Sequence, residues 1–240
     1  MFTEKKEEEF YKVNFALNGR LHWLPAPGGL FMAAVKDDPG WVDQELAALL
    51  SPGELENSRA GAGARGWYLG RLAAKAAAGR RWRLPLSEVE IRSEPTGRPW
   101  SFKASAPAGF ISLSHTRGAA AAASSGRPVG VDLEPWSREL SDRVWMWAFT
   151  AGERRLAETG GSFPVRLALW CAKEAAAKSW GLPLLNHLPR VRVTGADWSA
   201  GRLTVAWQGL GGEGSEVRLS RWDAYLVALA QSHNLKEDDR

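Results

Sequence analysis

Two short segments about forty residues apart hold the side chains best suited to chemistry. Val129-Gly130-Val131-Asp132-Leu133-Glu134 alternates as a strand does, so Asp132 and Glu134 leave the same face. Trp170-Cys171-Ala172-Lys173-Glu174-Ala175-Ala176-Ala177-Lys178 reads as a helix on which Trp170, Glu174 and Lys178 share one stripe. Three carboxylates (Asp132, Glu134, Glu174) and one lysine converging on a point suit a divalent cation that grips a phosphate. Magnesium takes one or two carboxylates and completes its octahedron with phosphate oxygens and water. Such a set supports phosphoryl or phosphodiester transfer.

Each motif alone has a plainer reading. Asp-x-Glu on a strand is commonly a solvated face, although Val129, Val131 and Leu133 require one face to be buried. Glu174 and Lys178 could be an i,i+4 surface pair worth a few tenths of a kcal/mol. Against that, the helix carries Trp170, Cys171 and several alanines, so it must be largely packed, and packed helices seldom bury such charges idly. His115 follows an alternating strand in Ser112-Leu113-Ser114-His115-Thr116 and precedes a turn. The four histidines and one cysteine make no zinc spacing. Ser114 lacks the glycines of a nucleophile elbow, and Gly61-Ala62-Gly63-Ala64 lacks the ending of a phosphate-binding P-loop.

The elements that would position these residues occur twice. Trp82-Arg83-Leu84-Pro85-Leu86 aligns with Trp180-Gly181-Leu182-Pro183-Leu184, and Ala74-Lys75-Ala76 with Ala172-Lys173-Glu174. Ser51-Pro52-Gly53-Glu54 mirrors Thr150-Ala151-Gly152-Glu153, each a capping-box signature for a helix start. Strands follow at Val89–Arg92 and Val191–Val193, then Gly97-Arg98 and Gly201-Arg202 turns. Further strands come at Ile111–Ser114 and Val217–Ser220, and near Ala119–Ser124 and Ala224–Ala230. The offset drifts from 98 at Trp82 and Trp180 to 106 at Ser114 and Ser220, as loop insertions would produce. The expected fold is α+β: an internally duplicated pseudo-dimer, each half an antiparallel sheet packed with a long helix. The join falls near Ser125-Gly126-Arg127-Pro128, giving an N-terminal half over residues 1–126 and a C-terminal half over 127–240. The copies differ where chemistry would sit, since Ala76 stands opposite Glu174, Arg80 opposite Lys178 and His115 opposite Arg221. One site per chain is expected, at a cleft between the halves.

The composition is compatible with this. A chain of 240 residues, 45% apolar, can bury a substantial core. There is no apolar run of membrane-spanning length, and the charged start does not read as a signal peptide. A lone cysteine suits a cytoplasmic setting. The net charge of +4 favours an acidic partner or phosphorylated ligand. Its basic residues are scattered, so nucleic acid is not expected as a partner. The thirteen tryptophans read mainly as core anchors. The tail from Lys236 to Arg240 is expected to fray.

Taken together, these motifs resemble the large, pseudo-dimeric class of 4′-phosphopantetheinyl transferases, the surfactin-synthetase-activating type. That family pattern is Gly-(Val/Ile)-Asp-x-Glu followed by Trp-(Ser/Cys/Thr)-x-Lys-Glu-(Ala/Ser)-x-x-Lys. It corresponds here to Gly130–Glu134 and Trp170–Lys178, with Gly97-Arg98-Pro99 and Ser114-His115 upstream. The resemblance implies that Asp132, Glu134 and Glu174 hold magnesium against the pyrophosphate of coenzyme A. It implies that Glu174, directly or through a metal-bound water, deprotonates a serine of an apo acyl or peptidyl carrier protein. The serine oxygen would attack the β-phosphorus and 3′,5′-ADP would leave. Lys178 and His115 would neutralise phosphate charge, with Ser114 beside them, while Arg98 and Pro99 line the adenosine end. Arg65 is a further candidate for the 3′-phosphate. Some members place lysines in the segment where this chain has Glu54 and Asn57, and the first thirty or so residues match nothing in the pattern. With the pseudo-dimer inside one chain, a monomer is expected. Two rival readings are a non-catalytic binder of coenzyme A or carrier protein, and a basic nucleic-acid-binding domain.

Overall fold

The structure, a computed structural model, describes residues 20–38, 40, 47–56, 64–94, 97–103, 106–182, 184–187, 190–208 and 214–232. Asn57, residues 61–63 and the tail from Lys236 to Arg240 lie outside them. The chain forms two compact units, Met1–Gly126 and Arg127–Arg240. Each is α+β with one antiparallel sheet. Among the described residues no helix is long and apolar enough to cross a membrane.

The first unit holds β1 (Leu21–Leu24), β2 (Phe31–Lys36), α1 (Pro52–Glu56), α2 (Ala64–Trp82), β3 (Val89–Ser93), β4 (Pro99–Lys103), β5 (Ala106–Thr116) and β6 (Ala119–Ser125). Its six strands are ordered β1-β2-β6-β5-β4-β3. Helix α2 packs Leu69, Leu72 and five buried alanines onto Ala33, Val35, Ile91, Ile111, Ala120 and Ala122. Strand β6 is alanine from Ala119 to Ala123, all fully buried. At β6 the sheet presents only methyl groups to the helix, which lets the two approach closely there.

The second unit runs β7 (Val129–Pro135), α3 (Asp142–Ala148), α4 (Ala151–Glu158), α5 (Val165–Ser179), α6 (Leu184–His187), β8 (Val191–Asp197), β9 (Arg202–Trp207), β10 (Gly214–Trp222) and β11 (Tyr225–Ser232). Its sheet order is β7-β11-β10-β9-β8. Helix α5 lays Leu167, Trp170, Cys171 and its alanines against Val191, Val205, Val217, Leu226 and Ala228. Glycines with left-handed backbone turn both β3–β4 and β8–β9, at Gly97 (φ 87°) and Gly201 (φ 61°).

A buried ion pair ties the long helix of each unit to its sheet. In the second unit Thr150 caps α4, and Glu153 completes the reciprocal capping box. Glu153 Oε2 accepts from the Thr150 backbone N–H at 2.7 Å. Its Oε1 accepts from Lys173 Nζ and from the Val193 N–H, each at 3.0 Å. Lys173 also donates to the Ala148 carbonyl at 2.7 Å. One carboxylate thus joins the start of α4, the middle of α5 and the edge strand β8. The first unit repeats the device. Ser51 and Glu54 form the box, Lys75 Nζ donates to Glu54 Oε2 at 2.7 Å and to the Val89 carbonyl at 2.5 Å, and the Ile91 N–H donates to Glu54 Oε1 at 3.1 Å. Lys75 and Lys173 are fully buried.

A buried charge stripped of its partner loses more than an exposed one, because its desolvation is no longer offset. Lys173→Met should therefore destabilise the protein by about 3–5 kcal/mol in urea unfolding. The double variant Lys173→Met/Glu153→Gln should recover part of that loss, because the glutamine oxygen still accepts from Val193 and no unpaired charge remains.

Candidate active site in the second unit

Strand β7 places Gly130, Asp132 and Glu134 on the face that meets α5, since their partners on β11 are Ala230, Ala228 and Leu226, which belong to the core beneath the helix. Gly130 makes this approach possible. A Cβ there would overlap the Ala175 carbonyl oxygen and lie 2.6 Å from the Ser179 nitrogen, so α5 rests directly on the strand backbone. Two residues along, Asp132 meets the last turn of the helix. Lys178 Nζ donates to Asp132 Oδ1 at 2.8 Å and to the Val131 carbonyl at 3.1 Å.

Asp132 is buried, at 4% exposure. The strand therefore buries both faces, where the alternation in sequence had suggested one apolar face and one open to a cleft. Glu134, half-buried, pairs with Arg138 four residues on. Burial pushes the Glu134 carboxyl up, with Asp132 adding to the rise and Arg138 opposing it. Burial likewise pushes Glu174 up, to about 7; Lys178 opposes the rise, and the charges on Asp132 and Glu134 add to it. Burial pulls the Lys178 ammonium down, but Asp132 and Glu174 outweigh it and hold the group above the ordinary lysine value. The four expected side chains of this unit thus form one electrostatically coupled group.

Among the described residues no three His, Cys, Asp or Glu side chains stand in metal-ligating geometry. The donor chemistry nevertheless fits a hard divalent cation, which selects carboxylate oxygen over nitrogen or sulfur. Lys178 and Arg138 now supply the positive charge that Asp132 and Glu134 require.

The remaining expected residues lie in the first unit. Ser114, buried, and His115, exposed, stand near the end of β5. His115 is inside the strand, which runs on to Thr116 before the turn at Arg117-Gly118. Pro99 opens β4, and the Arg98 guanidinium lies 5.6 Å from the Trp100 ring centroid and 5.5 Å from that of Phe110. Arg65, in the first turn of α2, binds Asp37 through Nε at 2.9 Å and the Asp38 carbonyl at 2.6 Å. Glu54 is the buried partner of Lys75.

Residues 128–230 match the family model of the 4′-phosphopantetheinyl transferase superfamily. The matched segment contains Asp132, Glu134, Glu174 and Lys178. It stops short of Arg65, Arg98, Pro99, Ser114 and His115. No curated protein matches the chain.

Sequence reasoning missed two positions here. Lys173 enters the sequence motif and the repeat alignment without a role of its own, yet it is the buried anchor of α5. The recurrence of a lysine at Lys75 and Lys173 was the available signal. The role of Gly130 as the contact point for a helix left no mark beyond the glycine itself.

Two outcomes follow from this geometry. Gly130→Ala should lower stability by about 1–3 kcal/mol in chemical denaturation, because backbone rather than a pliable side chain opposes the new methyl. In cation-free buffer, the folded chain should hold the Glu174 proton up to about pH 7, whereas an ordinary glutamate releases it near 4.5. The folded state then binds more protons across that window, so stability should fall as pH rises through it. Glu174→Gln should flatten the fall, leaving the variant the more stable protein above pH 7, as urea midpoints across the window would show.

Proposed function

We propose that the chain transfers 4′-phosphopantetheine from coenzyme A to a serine of an apo acyl or peptidyl carrier protein. The observation that carries this reading is the coupled Asp132–Glu134–Glu174–Lys178 group inside the superfamily segment. Asp132, Glu134 and Glu174 would hold a magnesium ion, which when bound supplies positive charge to the pyrophosphate. Without the cation Glu174 holds its proton up to about pH 7; as a carboxylate beside the ion it would serve as the general base. It takes the proton of the carrier serine, whose oxygen forms a bond to the β-phosphorus as the bond to the bridging oxygen breaks and 3′,5′-ADP leaves. Lys178, held by Asp132 and the Val131 carbonyl, offers its ammonium to phosphate oxygens. His115 and Ser114, with Arg98, Pro99 and Arg65, would serve the nucleotide end, in the roles the family resemblance gives them. The basic balance of the chain suits an acidic carrier.

We further infer an internal duplication, with the residue 1–126 and 127–240 halves as copies. Without β1, the first sheet has the strand order of the second, and both units repeat the capping-box glutamate and buried lysine. By pairing register, Ala33 and Val35 of β2 stand where β7 has Asp132 and Glu134. This supports one acidic site per chain.

A second reading, a binder without turnover, draws on the ion pairs that Asp132 and Glu134 already make within the chain. Incubation with apo carrier protein, coenzyme A and magnesium separates the two. One phosphopantetheine mass should be gained, and chelating the cation should abolish the gain. Asp132→Ala and Glu174→Gln should each lower transfer by about a thousandfold or more while circular dichroism stays unchanged. Coenzyme A binding in calorimetry with no mass gain on several carriers would select the binder instead.

A further inference from the structure

Helix α2 carries three glycines, and two of them, Gly66 and Gly70, lie one turn apart in its first half. Glycine weakens a helix interior relative to alanine, so its recurrence needs a reason. The reason lies on β5. A Cβ at Gly66 would stand 2.8 Å from His115 Nδ1, 3.3 Å from its Cε1 and 3.6 Å from its Cγ. A Cβ at Gly70 would stand 3.6 Å from His115 Cδ2 and 3.3 Å from Leu113 Cδ1. The imidazole therefore lies along the helix in a slot that two absent methyl groups leave open. The same positions of the second unit, by the 98-residue offset, are Pro164 and Ala168, and the residue aligned with His115 is Arg221.

We propose that Gly66, assisted by Gly70, is a positioning residue that sets the orientation of His115 for coenzyme A. This rests on the reading of His115 as a phosphate-binding group in the proposed function. The obstacle to a methyl at Gly66 is a two-torsion side chain, not backbone, so the ring would swing aside and the helix would persist. Helix propensity and ligand binding should then respond in opposite directions to a single substitution, which a purely structural glycine would not produce.

The test is calorimetry of the full chain with coenzyme A, alongside thermal unfolding, for wild type, Gly66→Ala, His115→Ala and the double variant. Gly66→Ala should hold or raise Tm yet weaken coenzyme A binding about fivefold. His115→Ala should weaken it about tenfold, the loss of one charge-assisted contact. Adding Gly66→Ala to His115→Ala should change nothing further, since the methyl acts only through the ring. If His115→Ala weakens binding while Gly66→Ala does not, or if the two losses add, the positioning role is overturned and the His115 assignment stands. If His115→Ala leaves binding unchanged, the assignment falls and the inference with it. A sharp drop in Tm for Gly66→Ala would also overturn it, because the ring would have failed to yield.

Discussion

One constraint recurs in each unit: a fully buried lysine in the long helix must meet a carboxylate. Removing an ammonium from water is costly, and only a partner of opposite charge with its remaining valences satisfied can offset that. Glu153 and Glu54 satisfy the demand while also capping a short helix and accepting from an edge strand. The angle at which α5 crosses its sheet therefore follows from where a carboxylate can reach three elements at once. Lys173 immediately precedes Glu174, so the clamp that orders the fold also fixes the helical phase of the site.

From that anchor the site follows by steps of helix and strand geometry. Five residues beyond Lys173, Lys178 reaches the edge strand; four of those residues make one turn past Glu174. Gly130 lets the two backbones touch, and Asp132 then stands opposite the ammonium. The result is a cluster of acids whose mutual repulsion and burial lift Glu134 and Glu174 above ordinary carboxylate behaviour. A site that favours protons in this way also favours any other positive charge of suitable size. Lys178 and Arg138 fill part of that demand from within the chain.

Much of this was legible in the residues. Period-two alternation located β7 and β5, alanine-rich runs located α2 and α5, and the hydroxyl-to-glutamate spacing located both caps. The spacing of Asp132, Glu134, Glu174 and Lys178 pointed to one group because strand and helix periodicities are fixed by backbone geometry. What stayed hidden depends on contacts across the fold. Nothing local distinguishes Lys173, buried and anchoring, from Lys178, partly exposed and facing Asp132; the two differ only in which side of α5 they occupy. Asp132 looked like a cleft-facing residue because alternation reports one face and cannot say that the other is covered too. Arg65 read as an available cation, and its engagement with Asp37 joins positions far apart in the chain.

The alanine-rich seams between helix and sheet carry a consequence for how this protein tolerates change. Where β6 meets α2, and β11 meets α5, most interior positions already hold the smallest side chain that still has a Cβ. Truncation there has little left to remove, so the usual damage of a hollowed interior hardly arises. Enlargement is the danger: a single added methylene has no void to enter and must pry layers apart. Sequence drift at these positions should thus be bounded from above, with glycine, serine and alanine interchanging more freely than alanine and valine.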